Sequence, residues 1–460
     1  MTTVRPLSSS PVGTPSTRNI AWIVVLSLLT SVLLALVVVL VVPGAGENVI
    51  EGAVMLAAAA GAGLLGVLSA RWSDQPQRWA PTAAAWLALA GTALLLWPGV
   101  VATAAIAWVA PVLLLGLVAW TTVRVRRELD SRIRPWLVYP VVAVTLCAAT
   151  AAGFETAQEV FDRSRHPMRG ELVDVGGGRR MYLSCAGSGT PTVVLVPGAG
   201  ELSSVWGWIA PDVARDTRVC VYDRAGRGWS DPAPGQQDGV ALATDLNEAL
   251  GRAHEAPPYV LVGHSFGGLY VRAFAARYPE RTGGMVLLDA THPRMFTRLP
   301  SYPGFYEVFR RVSALSPSLA RFGVGRLVYR SQYDGLPSVA RAEEVMFWST
   351  ARHARSQHDE WEMAPVAMGQ AEALVTLGDR PLVVVSALKG AQEGWAELQD
   401  DLATLSTDSS HWLAAEATHA SLVLDREGAA FSSKAIRAVV MAVRMSSSRG
   451  PGQTFSPGTN

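Results

Sequence analysis

The chain has 460 residues, 50% of them apolar, and a formal net charge of +1 from 39 Lys and Arg against 38 Asp and Glu. This balance, with no basic patch, argues against nucleic acid as a partner, and the length allows two or three structural units. The apolar excess is concentrated in the first third of the sequence.

Five uncharged apolar stretches, 20–42, 53–70, 80–97, 100–123 and 136–154, approach the roughly 20 residues needed to cross a bilayer. A buried helix of a soluble bundle would carry a polar stripe, and these carry almost none. Pro111 and Pro140 are tolerable in membrane helices. The pattern predicts a tail over 1–19, five transmembrane helices over 20–154 and a linker over 155–169. None of the five holds an Asp, Glu, Lys, Arg or His, which favours an anchor over an ion or proton pathway. The first is too long for a signal-peptide core and lacks a cleavage site.

Arginine placement orients the anchor. Arg5 and Arg18 precede the first stretch, Arg71 and Arg78 separate the second from the third, and Arg124, Arg126, Arg127, Arg132 and Arg134 separate the fourth from the fifth. The opposite side carries Glu47, Glu51 and the uncharged Pro98-Gly99. The positive-inside rule predicts a multi-pass protein of the cell membrane, with its N-terminus cytoplasmic and everything after the fifth helix extracytoplasmic. Trp120 and Trp136 bracket the basic loop as interfacial aromatic residues do.

From residue 170 short apolar runs alternate with helical segments. Strands are expected over 171–175, 180–185, 193–196, 218–222, 259–262, 285–288, 382–385 and 411–415, the first two joined by a hairpin at Gly176-Gly177-Gly178. Helices between the later runs imply a largely parallel sheet with crossovers on both faces. Residues 293–380 interrupt this rhythm with helical character, as a cap over the sheet would. The Ser/Gly/Pro-rich 446–460 reads as a disordered tail.

The run Gly263-His264-Ser265-Phe266-Gly267-Gly268 lies between the strand 259–262 and a helix over 269–277. In that context G-x-S-x-G is a nucleophile elbow, a sharp turn that presents a serine hydroxyl at a helix N-terminus. The flanking glycines allow strand and helix to approach closely. VVLVPGAG at 193–200, YDRAGRGWSD at 222–231, the run 284–293 and Thr418-His419 accompany it in order. On these motifs, residues 170–445 resemble the α/β-hydrolase superfamily.

The resemblance implies an α/β fold, a mostly parallel eight-stranded sheet with a helical cap, here preceded by the five-helix transmembrane region. It implies Ser265 as nucleophile and His419, after the last strand, as base. The family's usual acid position after the seventh strand falls on Gly390. Asp289, at the end of the sixth strand, is the favoured acid, and Glu393 is the alternative. The oxyanion-hole donors are the backbone N–H groups of Phe266 and Ala199. Pro197 stands where the family has a histidine that braces the oxyanion loop.

Asp223, Arg224, Gly226, Gly228 and Asp231 are expected to fix a loop beside the site mouth, and Trp206 and Trp208 to pack rather than line the pocket. His264 should point away from Ser265 and pack or hydrogen-bond locally. His292 and His411 are expected to be structural, and His166, His254, His353 and His358 exposed. There is no metal-ligand spacing and no dinucleotide fingerprint, so no metal or cofactor is implied. Cys147 lies in the fifth stretch. Cys185 and Cys220 fall on strands that neighbour each other in this fold, and a disulfide and two free thiols both remain open.

These readings converge on a membrane-anchored serine hydrolase that cleaves a carboxylic ester, lipid-like in character, through an acyl-enzyme on the extracytoplasmic side. Acyltransferase or peptidase action on the same fold, and a non-catalytic binding or sensor module, are the alternatives. The expected partners are a small-molecule or lipid-like ester and the lipid bilayer; protein partners are not legible. Dehalogenase and epoxide hydrolase action is disfavoured, since those enzymes carry a carboxylate nucleophile where Ser265 stands.

Overall fold

The computed structural model describes residues 17–42, 45–96, 100–129, 132, 134–233 and 235–448. Of the expected features, the tail up to residue 16, the turn at 98–99 and the segment from 449 onward lie outside the described residues. The chain divides into two compact units, 1–157 and 158–460.

The first unit is helical. Helices α1 (Thr17–Val41), α2 (Glu47–Trp72), α3 (Ala80–Leu96), α4 (Val100–Glu128) and α5 (Tyr139–Arg165) take up the five apolar stretches, with a turn of π-helix at Arg134–Val138 before α5. Four of them are long and apolar enough to cross a membrane by length and composition, against the five expected. The exception is α3, whose 17 residues span only ~26 Å at 1.5 Å per residue, short of a ~30 Å hydrocarbon core. It pairs with α2 through small residues: a Cβ on Gly91 would lie 2.7 Å from the Gly52 carbonyl oxygen, and one on Gly66 would lie 2.8 Å from the Pro81 ring. Gly52 and Gly66 thus meet Gly91 and Pro81 in reverse order, so the two helices run antiparallel with backbones in close approach, as small residues permit in lipid. Trp22, Trp86, Leu89, Val112, Leu113 and Val144 are exposed over more than half their surface, an apolar outer face that fits membrane association.

The expected boundaries shift at both ends. Helix α1 begins at Thr17 rather than 20, and the helix Arg426–Ser448 continues past 445 into the expected tail. The expected linker 155–169 is helical as far as Arg165, because the sequence turns polar after Phe154 without losing helix-forming residues.

The second unit carries one eight-stranded sheet. Its strands are β1 (Glu171–Gly176), β2 (Arg179–Ala186), β3 (Thr192–Val196), β4 (Val219–Tyr222), β5 (Tyr259–His264), β6 (Thr282–Leu288), β7 (Leu382–Ala387) and β8 (Ser409–Ala414). Their order is β1-β2-β4-β3-β5-β6-β7-β8, with β2 antiparallel to both neighbours and every other pair parallel. β3, β5 and β7 are buried at every position, so each side chain meets a helical layer and alternation disappears from the sequence. Val194, Val196, Leu261, Met285 and Leu287 pack into the core on one face, and Val193, Leu195, Val260, Val262 and Val286 into that on the other. The region 293–380 forms a helical insertion, including Tyr302–Ser313, Ser338–Trp348 and Ala351–Glu362.

Cys185 and Cys220 stand directly opposite in the β2–β4 register and are joined by a disulfide, which closes the alternative left open by the sequence. Cys147 is free and exposed.

Candidate active site

The site is built where β5 and β6 end side by side. His264 pairs with Leu288 in the register, so Ser265 and Asp289 follow adjacent strand ends. Both adopt left-handed backbone, with φ of 52° and 43°, a conformation that costs a non-glycine residue about 1–3 kcal/mol. The surrounding bonds hold it: Ser265 N donates to Leu288 O at 3.2 Å, Thr291 N to Ser265 O at 2.9 Å and Asp289 N to Val385 O at 2.7 Å. Two glycines make the turn sterically possible. A Cβ on Gly267 would collide with the Val196 carbonyl oxygen, and one on Gly263 would lie 2.6 Å from the Gly267 carbonyl. Ser265 is partly exposed, and the helix Gly267–Arg277 begins just beyond it.

The structure brings His419 to Asp289. Nδ1 of the imidazole lies 2.6 Å from Oδ2 of the carboxylate, while Oδ1 accepts from Trp395 Nε1 at 2.8 Å and from Ala387 N at 3.1 Å. Burial alone would raise the carboxyl's pKa. The hydrogen bond and charge of His419, with the donors from Trp395 and Ala387, outweigh it and hold Asp289 below its ordinary value. His419 is exposed on the turn after β8. Glu393, the alternative acid, is exposed, and the imidazole's carboxylate partner is Asp289.

The loop after β3 closes the other side. A Cβ on Gly198 would lie 2.9 Å from Ser265 Cβ, so the loop abuts the serine. The flanking amides are occupied: Gly198 N donates to Glu201 Oε2 at 2.5 Å, and Gly200 N to Glu360 Oε2 at 2.8 Å. Between them Ala199 N–H, like Phe266 N–H beyond the serine, has no hydrogen-bond partner among the described residues. Preorganised donors of this kind suit a developing oxyanion.

With proline at 197, a buried ionic network braces this loop. Arg224 donates from Nη1 to Pro197 O at 2.6 Å and from Nη2 to Gly198 O at 2.5 Å. Glu360, from the cap helix Ala351–Glu362, accepts from Gly200 N, from Arg227 at 2.7 Å and from Tyr270 Oη at 2.7 Å, and pairs with Arg224 at 3.1 Å. Sequence reasoning placed Arg224 beside the site but missed Glu360, which lies 160 residues from Gly200 and carries no local motif. Asp223 accepts from Ser203 N and Trp229 N and so shapes the loop around Gly228. Asp231 pairs with Arg180, and Gly226 N donates to Asp231 O.

Trp206 is fully buried in the core, and Trp208 donates to Gly335 O. His292 bonds Asp401, and His254 is exposed. His353 and His358 are buried, against expectation, because the cap helix that carries them packs inward. His411 bridges Ser386 Oγ at 2.7 Å and Asp400 at 2.7 Å, a second Ser-His-Asp chain, but Ser386 is 1% exposed and presents no hydroxyl at the surface. Among the described residues one group of ligand-type atoms converges, Cys185, Cys220 and Glu255, and its two sulfurs are bonded to each other.

The comparisons agree with this architecture. The alpha/beta hydrolase fold family profile matches residues 191–351. An uncharacterised protein of Schizosaccharomyces pombe is 32% identical over 204 residues, 43% of this chain and 37% of that one. The 2-hydroxy-6-oxo-2,4-heptadienoate hydrolase of Pseudomonas putida is 36% identical over 124 residues, 26% of this chain and 44% of the enzyme. The Cif epoxide hydrolase from Acinetobacter nosocomialis shares the fold with a TM-score of 0.52 at 14% identity, covering 63% of this chain and 96% of that one. The chain spans less than half the length of both curated relatives. Residues 191–351 thus match the alpha/beta hydrolase family, and the second unit has the fold of such a hydrolase.

Glu360→Gln tests the brace. Removing one carboxylate leaves Arg224 and Arg227 uncompensated in the interior, and the expected loss of stability is about 3–5 kcal/mol. Burial raises the Glu360 pKa, but Arg224, Arg227 and the Tyr270 hydroxyl hold it below the ordinary glutamate value of 4.5. Its contribution is therefore complete above that value and is lost as pH falls through the lower folded-state value. Thermal melts of both proteins should differ widely at pH 7 and converge on acidification.

Proposed function

We propose that the domain is a serine hydrolase that cleaves a carboxylic ester with a bulky apolar, lipid-like group. The observation that carries this reading is the buried Asp289 carboxylate on Nδ1 of His419, beside a left-handed Ser265. With Nδ1 committed to Asp289, Nε2 remains to accept the Ser265 proton. The alkoxide attacks the ester carbonyl carbon, and the oxyanion is held by the N–H groups of Ala199 and Phe266. His419 returns the proton to the leaving alkoxide, and water admitted to the same base hydrolyses the acyl-enzyme. Asp289 orients the imidazole and stabilises its cation.

Ladder-like aromatic packing supports the apolar substrate. Phe266 packs on Trp361 with centroids 4.8 Å apart, and Trp361 meets Phe309 at 4.4 Å and Phe305 at 6.2 Å. Phe305 is 52% exposed, and Val308 and Val312 continue its face of the cap helix. A run of aromatic contacts thus links the residue after Ser265, through the buried Trp361, to the exposed face of the cap.

In this reading the N-terminal helices anchor the protein in the cell membrane and the hydrolase domain is extracytoplasmic. The arginine distribution and the Cys185–Cys220 disulfide support that side, since disulfides persist in oxidising compartments. It requires α3 to cross despite its length.

Ester hydrolysis by the full chain in detergent should disappear in Ser265→Ala. Asp289→Asn should lower kcat roughly 1,000- to 10,000-fold, as loss of a triad carboxylate does. Glu393→Gln should stay within about twofold, as for an exposed position; the reverse ranking would move the acid to Glu393. For orientation, a protease added to intact cells should digest the hydrolase domain, and protection of that domain until the membrane is opened would place it in the cytoplasm.

A further inference from the structure

His264 takes no part in the proton transfers above, yet it sits between two parts of that machinery. Its Nδ1 lies 3.0 Å from Glu201 Oε2, and its Nε2 lies 3.1 Å from the carbonyl oxygen of His419. Both partners are acceptors. A neutral imidazole has one N–H and satisfies only one of them, so both contacts are met by an imidazolium. The residue is 1% exposed, which leaves no water to take the place of either bond. Burial disfavours the cation, but the charge and hydrogen bond of Glu201, with the His419 carbonyl and the Asp289 charge, raise the pKa of His264 above its ordinary value. The His264 ring also lies against that of His419, centroids 4.7 Å apart.

Glu201 is shared in the same way. The oxygen that meets His264 also accepts from Gly198 N at 2.5 Å, on the loop that abuts Ser265. A continuous chain therefore runs from the oxyanion loop through Glu201 and His264 to the backbone of the base. Asp289 holds His419 by its side chain; His264 holds it by its carbonyl.

We infer that Glu201 and His264 form an ion pair that positions the oxyanion loop and the His419 turn relative to each other, so that the Ala199 donor and the base address the same reacting carbon. This rests on the serine-hydrolase reading. Neither residue touches the reacting atoms; both are positioning residues.

The test uses the full chain in detergent micelles with p-nitrophenyl butyrate. Glu201→Gln and His264→Gln should each lower kcat ~10- to 100-fold, the scale of a misplaced catalytic group, with KM within about twofold. The double variant should be no worse than the poorer single, because either break disconnects the same link. Turnover near wild type in either single, or losses that multiply in the double, overturns the pair. Should one variant fail to fold, the other decides, together with ¹⁵N-histidine spectra of the wild-type protein at pH 7. There His264 should show both nitrogens protonated, and a neutral tautomer overturns the ion pair. Wild-type turnover abolished by Ser265→Ala establishes the hydrolase reading separately, so an active Glu201→Gln then removes only the pair.

Discussion

The close approach of Gly267 to the carbonyl of Val196 is the constraint on which the site depends. It brings the helix after β5 against the end of β3, and any side chain at 267 would force the two apart. The turn between strand and helix must then be tight, and Ser265 takes the left-handed backbone that a tight turn demands. The same contact sets the oxyanion loop, which continues from Val196, against the serine. Ser265 and the candidate oxyanion donors are thus placed by one packing event rather than by separate loops.

The loop beside that contact carries buried backbone polar groups, and low dielectric makes each unmet group costly. Three elements respond. Arg224 takes two carbonyls of the loop, Glu360 reaches in from the cap to take one amide, and Glu201 takes another. With proline at 197, the carbonyls of Pro197 and Gly198 and the amides of Gly198 and Gly200 are met by these three side chains, and Ala199 N–H is left open. One consequence is that the cap is coupled to the oxyanion loop through Glu360, so the cap helix Ala351–Glu362 supports the site as well as covering it.

Much of the fold was legible because strands buried on both faces leave uninterrupted apolar runs, and β3, β5, β6 and β7 are of that kind. The placement of Ser265 on a strand-turn-helix junction and of His419 after the last strand was legible from local context and chain order. The sequence left Asp289 and Glu393 both open as the acid, since both follow strands; packing sets them apart, with Trp395 and Ala387 donating to the buried Asp289 while Glu393 is exposed. Glu201 stands in plain view four residues after Pro197, but its role depends on the direction of the His264 side chain, which no pattern encodes. His353 and His358 were misplaced because the inward face of a cap helix is set by tertiary packing. Hydropathy located the apolar helices and misjudged their ends, because it reports lipid compatibility rather than where helical hydrogen bonding stops.

The central claim is that one serine, strained into the elbow, is the nucleophile. The second Ser-His-Asp chain at Ser386 makes the claim sharp, since it is hydrogen-bonded from serine to aspartate and yet has no exposed hydroxyl. Mass spectrometry of the full chain after reaction with a fluorophosphonate locates the modified residue directly. The account predicts a single adduct on the peptide containing Ser265; an adduct on Ser386 or any other residue, or none on folded protein, would contradict it.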